Sequence, residues 1–281
     1  MRPELRSIGI FILAVLITAS VLLYVFPVEA GRTSDSFLQP GAFAWPVKPE
    51  MTAMFMGSCY GAGAYFFHRV SFGGSWHAVA AYFPGIAVFA WLMAISTFLH
   101  WDRFNHGHVA FFAWLSLYVT TPLLVPLLYL RNRAADPGSA NVADAVVARP
   151  LRALIGIGGA ALLVIAVVMY VAPSTAIELA PWKLTPLTSR VIAAFLSASG
   201  TAALLLSRDP RWSAWQVFVR SAVFASALLL IAALRAWAEF DSSNALAYGF
   251  LAATGALVAG GVTLDRVMRA RVRADASQAP G

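Results

Sequence analysis

The densest group of side chains able to do chemistry lies in nine residues between two apolar stretches: His100, Asp102, Asn105, His106 and His108. Imidazole and carboxylate groups bind metal ions and exchange protons near neutral pH. His106-Gly107-His108 brings two imidazoles close if the chain is extended, and His100 would complete a three-nitrogen site for a metal ion or haem. A His-x-His without cysteines or a helical His-x-x-x-His is a weak signature. The preferred reading is therefore plainer, with histidine and tryptophan resting at the headgroup level of a membrane.

A second set of charges lies near expected helix ends. Arg190 follows Pro186 by four residues, where a cation faces the positive end of a helix dipole, so it needs a partner. Glu50 follows Pro49, where the dipole favours an acid. Arg190 is expected to pair with Glu50, Glu239 or Asp241, closing a bundle or lining a polar site for an anionic ligand. Glu239 and Asp241 could also act as an acid/base pair. Arg235, at the end of its apolar run, is expected to snorkel. The candidate ligand-binding set is thus Glu50, Arg190, Arg235, Glu239 and Asp241, and the candidate metal set is His100, His106 and His108.

The elements that must hold these groups are membrane spans. The 281 residues are 60% hydrophobic and 12% charged, with mean hydropathy +0.73. A soluble domain carries about 25% charged residues. The sequence pI near 10 does not point to nucleic acid, because the basic residues form short clusters between apolar runs. A span needs roughly 20 apolar residues. Eight segments are expected to provide one: residues 7–26, 50–68, 78–99, 109–130, 152–172, 187–206, 216–236 and 245–264. Fourteen of the twenty Lys and Arg residues fall on the side that holds the N-terminus, which predicts both termini in the cytoplasm, and the high Ala, Val and Arg content points to a bacterial-type plasma membrane. The first apolar run is longer than a signal-peptide core, so it is expected to be retained.

An internal repeat organises the spans. Tyr24-Val25-x-Pro27 matches Tyr170-Val171-x-Pro173 at an offset of 146. Trp45 and Pro49 match Trp182 and Pro186 at 137, and Trp101 with Phe104 matches Trp237 with Phe240 at 136. The loop after the first span is therefore nine residues longer than its counterpart. The fold class expected is all-α: a polytopic membrane protein with eight transmembrane helices in two parallel four-helix repeats. Residues 1–133 form the first repeat, 134–149 a cytoplasmic linker, 150–269 the second repeat and 270–281 a disordered tail. Pro84 is expected to kink the third span, and Pro122 and Pro126 the fourth. Gly57 with Gly61, Gly156 with Ala160, and Gly200 with Ala203 and Ser197 mark close helix approaches.

The histidines belong to one half only, since Ala236, Ser242 and Asn244 lie in the matching region. No nucleotide-binding motif, His-Glu-x-x-His, Gly-x-Ser-x-Gly or Cys-x-x-Cys-His is present. The first expectation for function is an accessory or scaffold membrane subunit without chemistry of its own, with a membrane-protein partner or a homo-oligomer. The alternatives are a small-molecule permease with a site between the repeats, and an outer-face metal- or haem-binding protein or enzyme using residues 100–108. The arginines at 266, 269, 271 and 273 are expected to meet anionic lipid headgroups.

Overall fold

A computed structural model describes residues 3–73, 75–136 and 144–278. Its described residues are 79% helical and contain no strands. The helices are α1 (Pro3–Val25), α2 (Pro27–Ala30), α3 (Glu50–Phe72), α4 (Tyr82–Leu99), α5 (Val109–Asn132), α6 (Arg149–Val171), α7 (Pro173–Leu179), α8 (Pro186–Leu206), α9 (Trp212–Arg235) and α10 (Ala245–Gln278). Seven of them, all the long ones except α3, are long and apolar enough to cross a membrane, consistent with a multi-pass membrane protein.

Prolines set many of the helix starts. Pro27, Pro150, Pro173 and Pro186 all occupy the first two helical positions, where a missing N–H costs nothing. Thr185 adds a capping box with Thr188 at the start of α8. Gly73, at φ +155°, ends α3 in a backbone conformation that a side chain would strain.

The long helices run between two ends. The loop end gathers residues 31–49, 100–108, 172–185 and 236–244. The linker end holds both ends of the described chain and residues 144–148, which meet 210–212 through Val147 N–H to Pro210 O (2.8 Å) and Trp212 N–H to Ala145 O (3.0 Å). There Arg211 bridges Asp209 and Asp136.

Packing pairs α1 with α3, α6 with α8, α4 with α5 and α9 with α10, while α4 also packs on α8 and α9 on α3. Glycines permit the closest crossings. A Cβ on Gly57 would come within 2.8 Å of Tyr24, one on Gly159 within 2.9 Å of Gly200 O, and one on Gly85 within 2.5 Å of Ala198 O. The α6–α8 crossing thus uses Gly159 opposite Gly200, and Gly156 lies close to Ser207 at the end of α8.

Burial explains why α3 is the least apolar of the membrane-length helices. Fifteen of its 23 residues are buried, against only Gly159 and Ala166 in α6. A helix shielded by protein can carry Thr52, Ser58 and Tyr60 among its buried residues without exposing them to lipid.

Two expectations are corrected. Pro84 lies in the first turn of α4, which begins at Tyr82 rather than at 78, so it starts the helix instead of kinking it. α10 continues to Gln278, beyond the expected end of the second repeat at 269; of the expected tail, residues 279–281 lie outside the described residues.

Candidate functional site at the loop end

Local geometry assigns each histidine of the 100–108 run a different task. His108 is buried and precedes α5. Its Nδ1 accepts from Ala110 N–H at 3.2 Å, capping the helix, so Nε2 carries the proton and donates to Gln39 O at 3.0 Å. His106 lies between Trp101 and Phe111, with ring centroids 5.0 and 4.8 Å away. His100 ends α4, and its Nε2 accepts from Arg190 Nη1 at 2.6 Å. Among the described residues, no three His, Cys, Asp or Glu side chains are grouped to hold a metal ion. The structure therefore does not bring His100, His106 and His108 together.

Arg190 meets no acid at ion-pair distance among the described residues, and this corrects the pairing expected for it. Its Nε donates to Tyr170 O at 3.1 Å, and its guanidinium lies 6.0 Å from the Tyr170 ring. It thereby caps the C-terminal end of α6 while donating to His100, which joins α8 to α4. This arrangement requires His100 neutral. Burial pushes its pKa below the ordinary imidazole value and the Arg190 charge adds to that, with Asp102 opposing.

Of the expected acidic partners, Glu239 and Asp241 are engaged elsewhere and Glu50 lies exposed at the start of α3. Glu239 accepts from Glu50 N–H at 3.0 Å and Met51 N–H at 2.7 Å, one through each carboxylate oxygen. It caps α3 across the molecule, using the helix dipole that Glu50 alone was expected to satisfy. Asp241 accepts from the Ser243 amide (2.9 Å) and hydroxyl (2.6 Å), which hold its carboxyl below the usual carboxylate range. An acid/base pair is thus poorly served: Asp241 is ionised at neutral pH, and both oxygens of Glu239 are occupied. Arg235 donates to Tyr24 O at 3.1 Å and lies 5.5 Å from the Tyr24 ring, capping α1 as Arg190 caps α6.

Two corners of the loop end share one construction. In the first, Asn105 N–H donates to Ala44 O at 2.8 Å and Trp45 packs on Phe104 at 5.3 Å. In the second, Asp241 N–H donates to Pro181 O at 2.9 Å and Trp182 packs on Phe240 at 5.3 Å. Tyr24 Oη donates to Leu228 O and Tyr170 Oη to Leu92 O, both at 2.9 Å. The helix after each corner is capped from two residues upstream, Ala110 by His108 and Leu246 by Asn244.

Sequence reasoning missed the linking role of the two tyrosines, although Tyr24-Val25-x-Pro27 and its copy marked them. It also missed Asn105 as a hub. The buried Asn105 amide receives Ser34 N–H (3.2 Å) and donates to Phe43 O (2.8 Å), tying residues 32–44 to the corner.

An open cleft of about 420 Å³ adjoins the second corner. It is lined by Ile177, Glu178, Ala180, Trp182, Lys183, Leu184, Glu239, Phe240 and Asp241. Glu239 and Asp241 meet there, while Arg190 and Arg235 do not line it. No known protein family, curated protein or solved structure matches the chain, so its function has to be read from its own geometry.

Proposed function

We propose that this chain is an accessory or scaffold subunit of a bacterial plasma membrane, with eight spans in two equivalent halves and both termini cytoplasmic. One observation carries the functional reading: most of the groups that could do chemistry at the loop end are engaged in holding helix ends. His108 and Glu239 cap α5 and α3, and His100 with Arg190 joins α4, α6 and α8. Such a bundle presents a shape rather than a reaction centre.

The two-half reading is supported by the pairing of helices. Each half, read as residues 1–133 and 150–269, packs its first long helix on its second and its third on its fourth. The second helix of one half meets the third of the other, as α3 on α9 and α8 on α4. Exchange of α3 for α8 and α4 for α9 leaves this pattern unchanged, as a two-fold axis along the membrane normal requires. The length of α3, 23 residues or about 34 Å at 1.5 Å per residue, fits an eighth span shielded by its neighbours. Exposed arginines 266, 269 and 271 near the end of α10 suit contact with anionic headgroups.

A permease site between the halves has less support. Phe195 of α8 packs on Phe55 and Tyr60 of α3 and Phe89 of α4, and Tyr60 and Tyr118 share a hydrogen bond at 3.1 Å. A metal or haem site would need histidines that converge, and these three have separate partners.

Native mass spectrometry of polymer-extracted membrane discs tests the accessory reading. We expect this 30.1 kDa chain with a second, different polypeptide in fixed ratio. Discs holding only this chain, alone or with copies of itself, would overturn it.

A further inference from the structure

The two corners differ in what covers them. The nine-residue surplus of the first half lies along the start of α5. Phe37 O accepts from Val109 N–H and Gln39 O from His108 Nε2, both at 3.0 Å, and the Phe37 ring lies 6.2 Å from Phe112. Beneath this segment Asn105 and His108 are 4% and 3% exposed.

In the second half the loop is nine residues shorter and the polar base of the corner is open. Asp241, Ala245 and Tyr248 stand where Asn105, Val109 and Phe112 stand, at the same offset of 136. Asp241 is exposed where Asn105 is buried, and Ala245 N–H has no hydrogen-bond partner among the described residues where Val109 N–H has Phe37 O; Tyr248 is 54% exposed against 48% for Phe112. The adjoining cleft is acidic, with Glu178, Glu239 and Asp241 against Lys183.

We propose that the start of α10 is a docking groove for an extended, basic segment of another membrane-associated polypeptide, seated as residues 34–39 are seated on α5. Its backbone carbonyl accepts from Ala245 N–H, an apolar side chain covers Tyr248, and a Lys or Arg faces Glu178 and Asp241. The covering segment of the first half shows which contacts this surface makes, and the acids add a charge preference which that segment lacks. This inference rests on the accessory-subunit reading and names its contact surface.

The test places a photo-crosslinking phenylalanine at position 248 of the full chain in cells, with position 112 as control. We expect position 248 to give one adduct, mapped by mass spectrometry to a non-helical segment with Lys or Arg beside an apolar residue. Position 112 should give mainly adducts to this chain's own residues 34–39. Inserting a copy of residues 32–40 between Leu179 and Ala180 fills the groove and should abolish the adduct. Glu178→Lys changes only an exposed side chain and should reduce it severalfold, so the test survives if the insertion misfolds. No adduct, an adduct only to lipid or to a second copy of this chain, or an adduct unchanged by Glu178→Lys overturns the proposal. If native mass spectrometry finds a partner while position 248 stays silent, the groove is wrong and the accessory reading stands. If no partner is found, the accessory reading itself fails.

Discussion

His100 shows how one side chain can join three helices and make the joint sensitive to acid. Its Nε2 must be unprotonated to accept from Arg190, and burial with the Arg190 charge lowers its pKa from 6.5. The unfolded chain then binds the proton more readily, so stability falls as pH drops below about 6.5 and is regained above it. Thermal unfolding in detergent should show a drop between pH 7.5 and 5.5 that is smaller in His100→Gln; equal drops would show that the bond does not couple to folding. Glu239 makes a second prediction. Glu239→Ala leaves two amides of α3 without acceptors and should cost about 1–2 kcal/mol in a denaturant titration. Loss of less than a few tenths would mean water replaces the cap. Both residues were picked out in the sequence because they are charged or titratable near helix ends. Their partners were not legible: Glu239 is held by backbone amides, which leave no trace in residue type, and the side-chain bond of His100 reaches Arg190, far along the chain.

At the scale of elements, helix existence was readable from apolar runs, while the details followed local chemistry. The start of α4 at Tyr82 turns Pro84 from a kink into an initiating residue, and the apolar window could not distinguish the two. The long crossings depend on glycines with no room for a side chain. Gly85→Val and Gly159→Val should each lower the melting temperature by an amount equivalent to about 1–3 kcal/mol, since the opposing atoms are backbone and, at Gly159, also the Ala203 Cβ, none of which can move aside alone. Gly158→Ala, on the same helix as Gly159 but facing open space, should leave it unchanged or slightly raised. Equal effects at 158 and 159 would contradict the crossing.

At the scale of the molecule, the aromatic offsets of 136 and 137 anticipated the twin corners, because Trp and Phe residues that build a turn recur when the turn does. The packing of α3 on α9 and of α4 on α8 was hidden, since these helices are far apart in the chain. The nine-residue surplus was visible as length, yet what it covers appears only when residues 34–39 are seen on α5. The proposed eight-span topology requires α3 to cross the membrane as a shielded span, so that residues 1–133 and 150–269 would share one orientation. It is tested most directly by single cysteines in a Cys59→Ala background, one replacing Lys48 at the loop end and one replacing exposed Phe72 at the linker end. In intact cells a membrane-impermeant maleimide should label position 48 at once and position 72 only after permeabilisation; labelling of both positions from the same side would contradict the account.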